Sequence, residues 1–227
     1  MRQLLPTFVD PVDPMAVYAD PPVAAGRPGV RCNMIASVDG ATAVDGVAGG
    51  LGSEADRTLF ALLRTLADVV LVAAGTVRAE GYGPSPVPIA VVTRSCRLDW
   101  DSRFFTAQVA RPVVVTVATA PAEARARAAE VADVVVAGER DVDLARALDA
   151  LGARGWRAVL CEGGPTLNGQ LAAAGLLDEL CLTLSPRLVG GDAKRLLAGP
   201  LLPGPPTLRL VSACEEDGFL FLRFRSG

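Results

Sequence analysis

The sequence predicts one α/β domain whose sheet is mostly parallel, flanked by helices, with an antiparallel C-terminal edge. Three observations lead there. Short continuous apolar runs, Val69 to Ala73 and Ala158 to Cys161, read as strands buried on both faces. Leucines at helical spacing fall between such runs: Leu59, Leu62, Leu63 and Leu66, then Leu144, Leu148 and Leu151. From Leu180 the period changes to two, and the later strands follow one another without helices.

The elements follow in order. Residues 1–28 carry six prolines, Pro6, Pro11, Pro14, Pro21, Pro22 and Pro28, and read as an irregular arm ahead of a domain over 29–227. Val30 to Val38 reads as the first strand, closed by an Asp39-Gly40 turn. Ser53-Glu54-Ala55-Asp56 resembles a capping box and opens the first leucine-bearing helix. The Val69 strand is followed by a short helix or turn over Thr76 to Glu80. Strands are predicted over Ile89 to Val92, Pro112 to Val117 and Val134 to Ala137, with helices over Ala122 to Val131 and Val142 to Leu151. Pro165 to about Ala174 is a helix with proline at its first position. Thr207 to Cys214 and Phe219 to Phe224 are strands joined by a Glu216-Asp217-Gly218 turn.

Bulk properties narrow the function. Hydrophobic residues make up 51% and charged residues 21%, which supports a packed core. Every apolar run is broken well before the length of a membrane span, and the N-terminus lacks a signal-peptide pattern, so a cytoplasmic location is expected. Net charge is −3 and no run of like charges exists, which argues against nucleic acid as a partner. The closest of the five cysteines are 20 residues apart, so no zinc spacing fits and reduced, buried thiols are expected. Histidine is absent. That removes Ser-His and Cys-His nucleophiles, histidine metal sites and the zinc deaminases; the expected metal content is none.

Three strand ends carry chemistry. Glu162-Gly163-Gly164-Pro165 puts a carboxylate and a helix start at one strand tip, where unpaired amides and the helix dipole favour an anion. Gly75-Thr76 after the Val69 run offers close backbone approach and a hydroxyl, or a helix cap. Thr93-Arg94-Ser95 after Ile89 to Val92 either grips an extra phosphate or holds a solvated charge. Ligands of open α/β sheets sit above such strand ends, and the combination points to NADPH without a G-x-G-x-x-G fingerprint.

The same residues resemble the reductase domain of the riboflavin pathway, the C-terminal half of the bifunctional deaminase/reductase. The segments are Asn33 to Gly40, Gly75 to Glu80, Glu162 to Leu167, Gly175 to Leu180 and Ser185 to Gly191, in family order over roughly residues 29–225. The resemblance implies a dihydrofolate reductase-like fold and a homodimer. It implies NADPH on Ile35, Ala36, Thr76, Glu80, Thr93, Arg94, Ser95 and the segment Gly163, Gly164, Pro165, Thr166, Leu167 and Asn168. It implies a ribosylaminopyrimidine phosphate on Asn33, Ser53, Arg64 and Glu162, with Arg64 on the phosphate. The implied reaction is hydride transfer to C1′ of the ribosyl group, as in 5-amino-6-(5-phosphoribosylamino)uracil reduction. Ring opening needs a proton, for which Glu162 and water are both open. Dihydrofolate as substrate, or a non-catalytic NADPH-binding paralogue, are the alternatives.

Overall fold

A computed structural model describes residues 1–227. In chain order its strands are β1 (Arg2–Leu5), β2 (Gly29–Ser37), β3 (Val69–Ala73), β4 (Ile89–Val92), β5 (Val113–Thr116), β6 (Asp133–Val136), β7 (Ala158–Cys161), β8 (Glu179–Ser185), β9 (Leu208–Glu216) and β10 (Phe219–Ser226). The helices are α1 (Pro14–Tyr18), α2 (Glu54–Thr65), α3 (Ala74–Glu80), α4 (Arg103–Thr106), α5 (Ala122–Val131), α6 (Leu144–Gly152) and α7 (Pro165–Ala173). All ten strands form one sheet, ordered β1-β9-β10-β8-β2-β7-β3-β4-β5-β6. The strands from β8 through β6 in that order run parallel, and β10, β9 and β1 add antiparallel.

The continuous apolar runs are explained by burial on both faces. Along β3, Val70 and Val72 pack in one core with Leu59 and Leu63 of α2. Val69 and Leu71 pack in the other with Leu144, Leu148 and Leu151 of α6 and Leu167 and Leu171 of α7. A strand covered on both sides has no polar face to show. Truncating such a residue, as in Leu148→Ala, would cost about 2–5 kcal/mol. Ser53 caps α2 by accepting the Asp56 amide at 3.1 Å, one half of the expected capping box. All five cysteines are buried, free thiols. No helix is long and apolar enough to cross a membrane.

The N-terminal segment differs from expectation. It is not irregular: Arg2–Leu5 extends the sheet by pairing with β9, and Asp13 caps α1 with Pro14 at its first position. Tyr18 at the end of α1 is fully buried, and the Met1 amino group pairs with Glu216 at 3.1 Å. The antiparallel edge of the sheet is therefore β1, and the C-terminal strands lie inside it.

The long connection over 186–207 has neither helix nor strand, yet it is fastened to the C-terminal side of the sheet. Asp39 accepts the Val189 and Gly190 amides, Thr42 donates to the Lys194 carbonyl, and Asn168 donates to the Leu196 carbonyl. The Ser37 hydroxyl and those amides hold the Asp39 carboxyl down at about 2. Asp39 is thus more than a turn former; it ties two loops across one end of the sheet.

Candidate active site

The strand ends and the fastened loops enclose a cleft of about 940 Å³ above β2, β7 and β3. Its floor is made where β7 stops. The Glu162 amide still donates to Leu71, and the Gly163 carbonyl accepts the Ala73 amide at 2.7 Å, so the turn stays locked to β3. The Gly163-Gly164 peptide is cis. Gly163 has φ +80°, and a Cβ there would meet Met34 Sδ at 3.2 Å. At Gly164 a Cβ would lie 2.8 Å from Thr76 Oγ1. Any side chain would therefore push apart the two loops that form this wall. Gly164 then begins α7 with no side-chain cap, which leaves the first amides of the helix for a ligand.

Glu162 is buried and fully engaged. Arg64 of α2 donates to it twice, Nε to Oε1 at 2.7 Å and Nη2 to Oε2 at 2.8 Å, and the Tyr82 hydroxyl donates to Oε2 at 2.5 Å. The guanidinium of Arg64 lies 4.5 Å from the Phe60 ring centroid and 5.4 Å from that of Tyr82. Burial pushes the Arg64 pKa down, and the Glu162 carboxylate more than reverses this, so Arg64 is firmly cationic. Burial first, and then the Glu162 charge, drive the Tyr82 phenol well up, so it keeps its proton. Arg64 Nη1 has no protein partner and is the part of the group left for a ligand.

Asn33 is the other notable group. Its Oδ1 is buried and accepts no hydrogen bond, although the residue borders the cleft. An orphaned acceptor of this kind costs free energy unless a ligand supplies a donor.

The structure brings together many of the residues singled out from the sequence. Asn33, Ile35, Arg64, Thr76, Glu80, Glu162, Gly164, Pro165 and Thr166 all line the cleft. Glu80 also accepts the Ala48 amide at 2.8 Å and so anchors the glycine-rich loop. Others lie elsewhere. Leu167 and Asn168 turn into the interior, because α7 presents only its first residues to the cleft; Asn168 accepts from the Cys161 thiol and holds Leu196. Ala36 is buried, Gly163 lies beneath the wall, and Ser53 is spent on the α2 cap. Thr93 is buried and accepts the Cys96 amide, while the Ser95 hydroxyl accepts the Arg97 amide at 3.4 Å. Arg94 stands exposed beyond β4, paired with Asp141 at 2.9 Å. No cluster of three or more metal-ligating side chains occurs.

Sequence reasoning missed Phe60, Tyr82, Asp56, Arg57 and Lys194, all of which border the cleft. Arg57, Phe60 and Arg64 repeat at helical spacing on α2, a signal that was readable. Nothing in the sequence links Tyr82 to Glu162, which are 80 residues apart.

Residues 28–218 match the RibD C-terminal domain. The chain belongs to the RibD C-terminal domain family. It is 33% identical, over 184 residues, to the 2,5-diamino-6-ribosylamino-4(3H)-pyrimidinone 5′-phosphate reductase of Methanothermobacter thermautotrophicus, covering 76% of this chain and 85% of that one. A RibD protein of Mycobacterium tuberculosis is 32% identical over 73% of this chain and 44% of its own length. The crystal structure of a pyrimidine reductase-like protein from Corynebacterium diphtheriae superposes with a TM-score of 0.81 at 26% identity, covering 94% of this chain and 98% of that one. Dihydrofolate reductase of Enterococcus faecalis shares the fold, with a TM-score of 0.53 at 12% identity over 88% and 96% of the two chains. This RibD-type domain therefore has the dihydrofolate reductase-like architecture expected from its sequence.

Proposed function

We propose that the chain is an NADPH-dependent reductase of a ribosylaminopyrimidine 5′-phosphate. The observation that carries this reading is the single cleft that joins an open helix start and Thr76 on one side to the Arg64–Glu162 pair and the unpartnered Asn33 carbonyl on the other. The first wall fits a nicotinamide cofactor: Gly75, Thr76, Gly164 and Thr166 line the cleft with backbone amides, and Thr76 adds a hydroxyl. The cofactor, when bound, supplies a hydride. Arg94, beyond β4, is the candidate partner for a 2′-phosphate, with Thr93 and Ser95 shaping its loop.

The second wall fits the substrate. Asn33 Oδ1 takes a donor from a polar heterocycle or a ribose hydroxyl. Arg64 Nη1 offers one charged donor to a phosphate, while the Glu162 pairing fixes the guanidinium in place. Glu162, held by Arg64 and Tyr82, orients these donors. The two relatives matched over more than four-fifths of their own length are named for the 2,5-diaminopyrimidinone substrate, which favours it over the aminouracil form. A homodimer belongs to the proposal; exposed Leu188, Leu201 and Leu210 are apolar surface available to it, and sedimentation measures it.

The test is NADPH oxidation with the 2,5-diaminopyrimidinone ribosylamine phosphate, its aminouracil counterpart and dihydrofolate. Turnover of a phosphoribosylated pyrimidine is expected. Reduction of dihydrofolate alone would sink the reading, and NADPH binding with no turnover of any of the three would make the chain a binding module.

A further inference from the structure

Opening the ribosyl ring requires a proton, and the groups around Glu162 do not supply one. Both Glu162 oxygens already accept hydrogen bonds, from Arg64 twice and from Tyr82. Tyr82 has a proton, but it is committed to Glu162 and held more tightly than in a free phenol. A different carboxyl borders the same cleft.

Asp56 is the third residue of α2, one turn before Phe60. Four carboxyl groups border the cleft: Asp45, Asp56, Glu80 and Glu162. Asp45 and Glu80 are exposed, and Glu162 is neutralised by Arg64. Asp56 alone is half-buried with no ion-pair partner. Its backbone amide serves the Ser53 cap, yet its side chain is not used to close the capping box. Gly52 explains how the carboxyl stays reachable, since a Cβ there would stand 3.0 Å from Asp56 Oδ2.

We propose that Asp56 is the acid of this site, giving its proton to the ribose ring oxygen as the C1′–O4′ bond opens. This rests on the pyrimidine reductase reading above. The step balances as follows. The nitrogen lone pair forms the C1′=N bond, the C1′–O4′ pair leaves on oxygen, and the Asp56 proton makes that oxygen a hydroxyl. A hydride supplied by bound NADPH would then reduce C1′ and neutralise the iminium nitrogen, and Asp56 takes a proton back from water. The site suits an acid. Burial raises the Asp56 pKa, and the Thr183 hydroxyl from β8 and the Arg57 charge only partly counter it. The other charged or titratable groups facing the cleft are Asp45, Arg64, Glu80, Tyr82, Glu162 and Lys194.

The test is Asp56→Asn, which keeps shape and removes the proton. We expect kcat with the phosphoribosylaminopyrimidine to fall by roughly 100-fold or more, with NADPH affinity and melting temperature retained. An acid works only while protonated, so kcat of the unaltered chain should decline as pH rises through the Asp56 pKa. That limb should be missing in Asp56→Asn, partly restored in Asp56→Glu, and moved to higher pH in Thr183→Val. A readout free of turnover is carbon NMR of the Asp56 carboxyl in the protein without ligand, where titration above the ordinary aspartate range is expected. Titration at or below that range overturns the proposal. So does an Asp56→Asn variant that turns over within about threefold of the unaltered chain. If the unaltered chain itself reduces no phosphoribosylated pyrimidine, the function reading falls and takes Asp56 with it; the two failures are thereby distinguished.

Discussion

Two buried glutamates, Glu162 and Glu179, are both held by arginines, at opposite ends of the parallel strands. Glu179 opens β8, and its side chain is fully buried. It accepts from Arg31 at 2.5 Å, Arg223 at 2.8 Å and Arg225 at 2.9 Å. Asp20 pairs with the outer sides of Arg223 and Arg225, and the Val17 and Asp20 carbonyls accept from Arg223 and Arg31. That network fastens the N-terminal segment to the sheet, with Arg223 Nε its one buried nitrogen left without a partner. Glu162 has one arginine and one phenol, and Arg64 still turns a free nitrogen to the cleft. The same chemical pair is structural where it is packed away from the cleft and available for a ligand where it lines the cleft.

The largest expected effect breaks the Glu179 network. Glu179→Gln leaves three arginines facing Asp20 alone, so about 3–5 kcal/mol of stability should be lost in denaturant unfolding. Burial pushes the Glu179 carboxyl up, but Arg223, Arg31 and Arg225 outweigh it and leave the pKa lowered. A lowered pKa means stability that is complete above the ordinary glutamate value and lost as pH falls through the lowered one. The variant should therefore also lose part of its sensitivity to acid. A stability unchanged within error would mean that the cluster is no anchor.

Glu162→Gln breaks the open pair and should act on rate instead. We expect kcat to fall by roughly 100-fold, about 2.7 kcal/mol, with NADPH affinity kept and a smaller stability loss than in Glu179→Gln. Unchanged turnover would reduce Glu162 to a structural residue and erase the distinction between the two glutamates.

The sequence made one of these glutamates legible and hid the other. Glu162 follows a buried run and precedes two glycines, so its place at a strand tip could be read locally. Glu179 begins a strand, and its partners at 20, 31, 223 and 225 are brought near only by the sheet order. The same reason hid β1. Its four residues are mostly exposed and show no alternation, and its backbone ladder with β9 and the Arg2–Glu215 ion pair join residues up to 213 apart in sequence. By contrast, Asp13 followed by Pro14 is a readable helix start inside the proline-bearing N-terminal segment. The parallel strands were legible because burial on both faces writes continuous apolar runs. In the site, glycine turns announced themselves, while Leu167 and Asn168 were misplaced because the motif gives neighbours in sequence and the helix turns them inward.

A smaller effect sharpens the comparison on the cofactor side. Gly164→Ala places a methyl group 2.8 Å from Thr76 Oγ1, so one wall of the cleft must shift. NADPH affinity should weaken about tenfold, roughly 1.4 kcal/mol, while the Glu179 network and the unfolding midpoint move little. Affinity unchanged in a titration would separate this wall from the cofactor.

The smallest effect concerns a third arginine pair, one with no burial at all. Arg94 and Asp141 are both largely exposed, with side-chain exposures of 71% and 76%, so their ion pair adds about 0–1 kcal/mol and its loss should leave stability unchanged. What Arg94 can still do is exchange Asp141 for a phosphate, since its loop follows β4 on the same edge of the sheet as the cleft. Arg94→Ala should then weaken NADPH about fivefold, roughly 1 kcal/mol, and leave NADH nearly untouched. Because the charge is solvated, added salt should shrink the difference. Asp141→Asn should do the reverse and tighten NADPH slightly by freeing the guanidinium. Equal losses for the two cofactors would remove Arg94 from the 2′-phosphate and leave it a surface charge, the outcome its exposure alone would suggest.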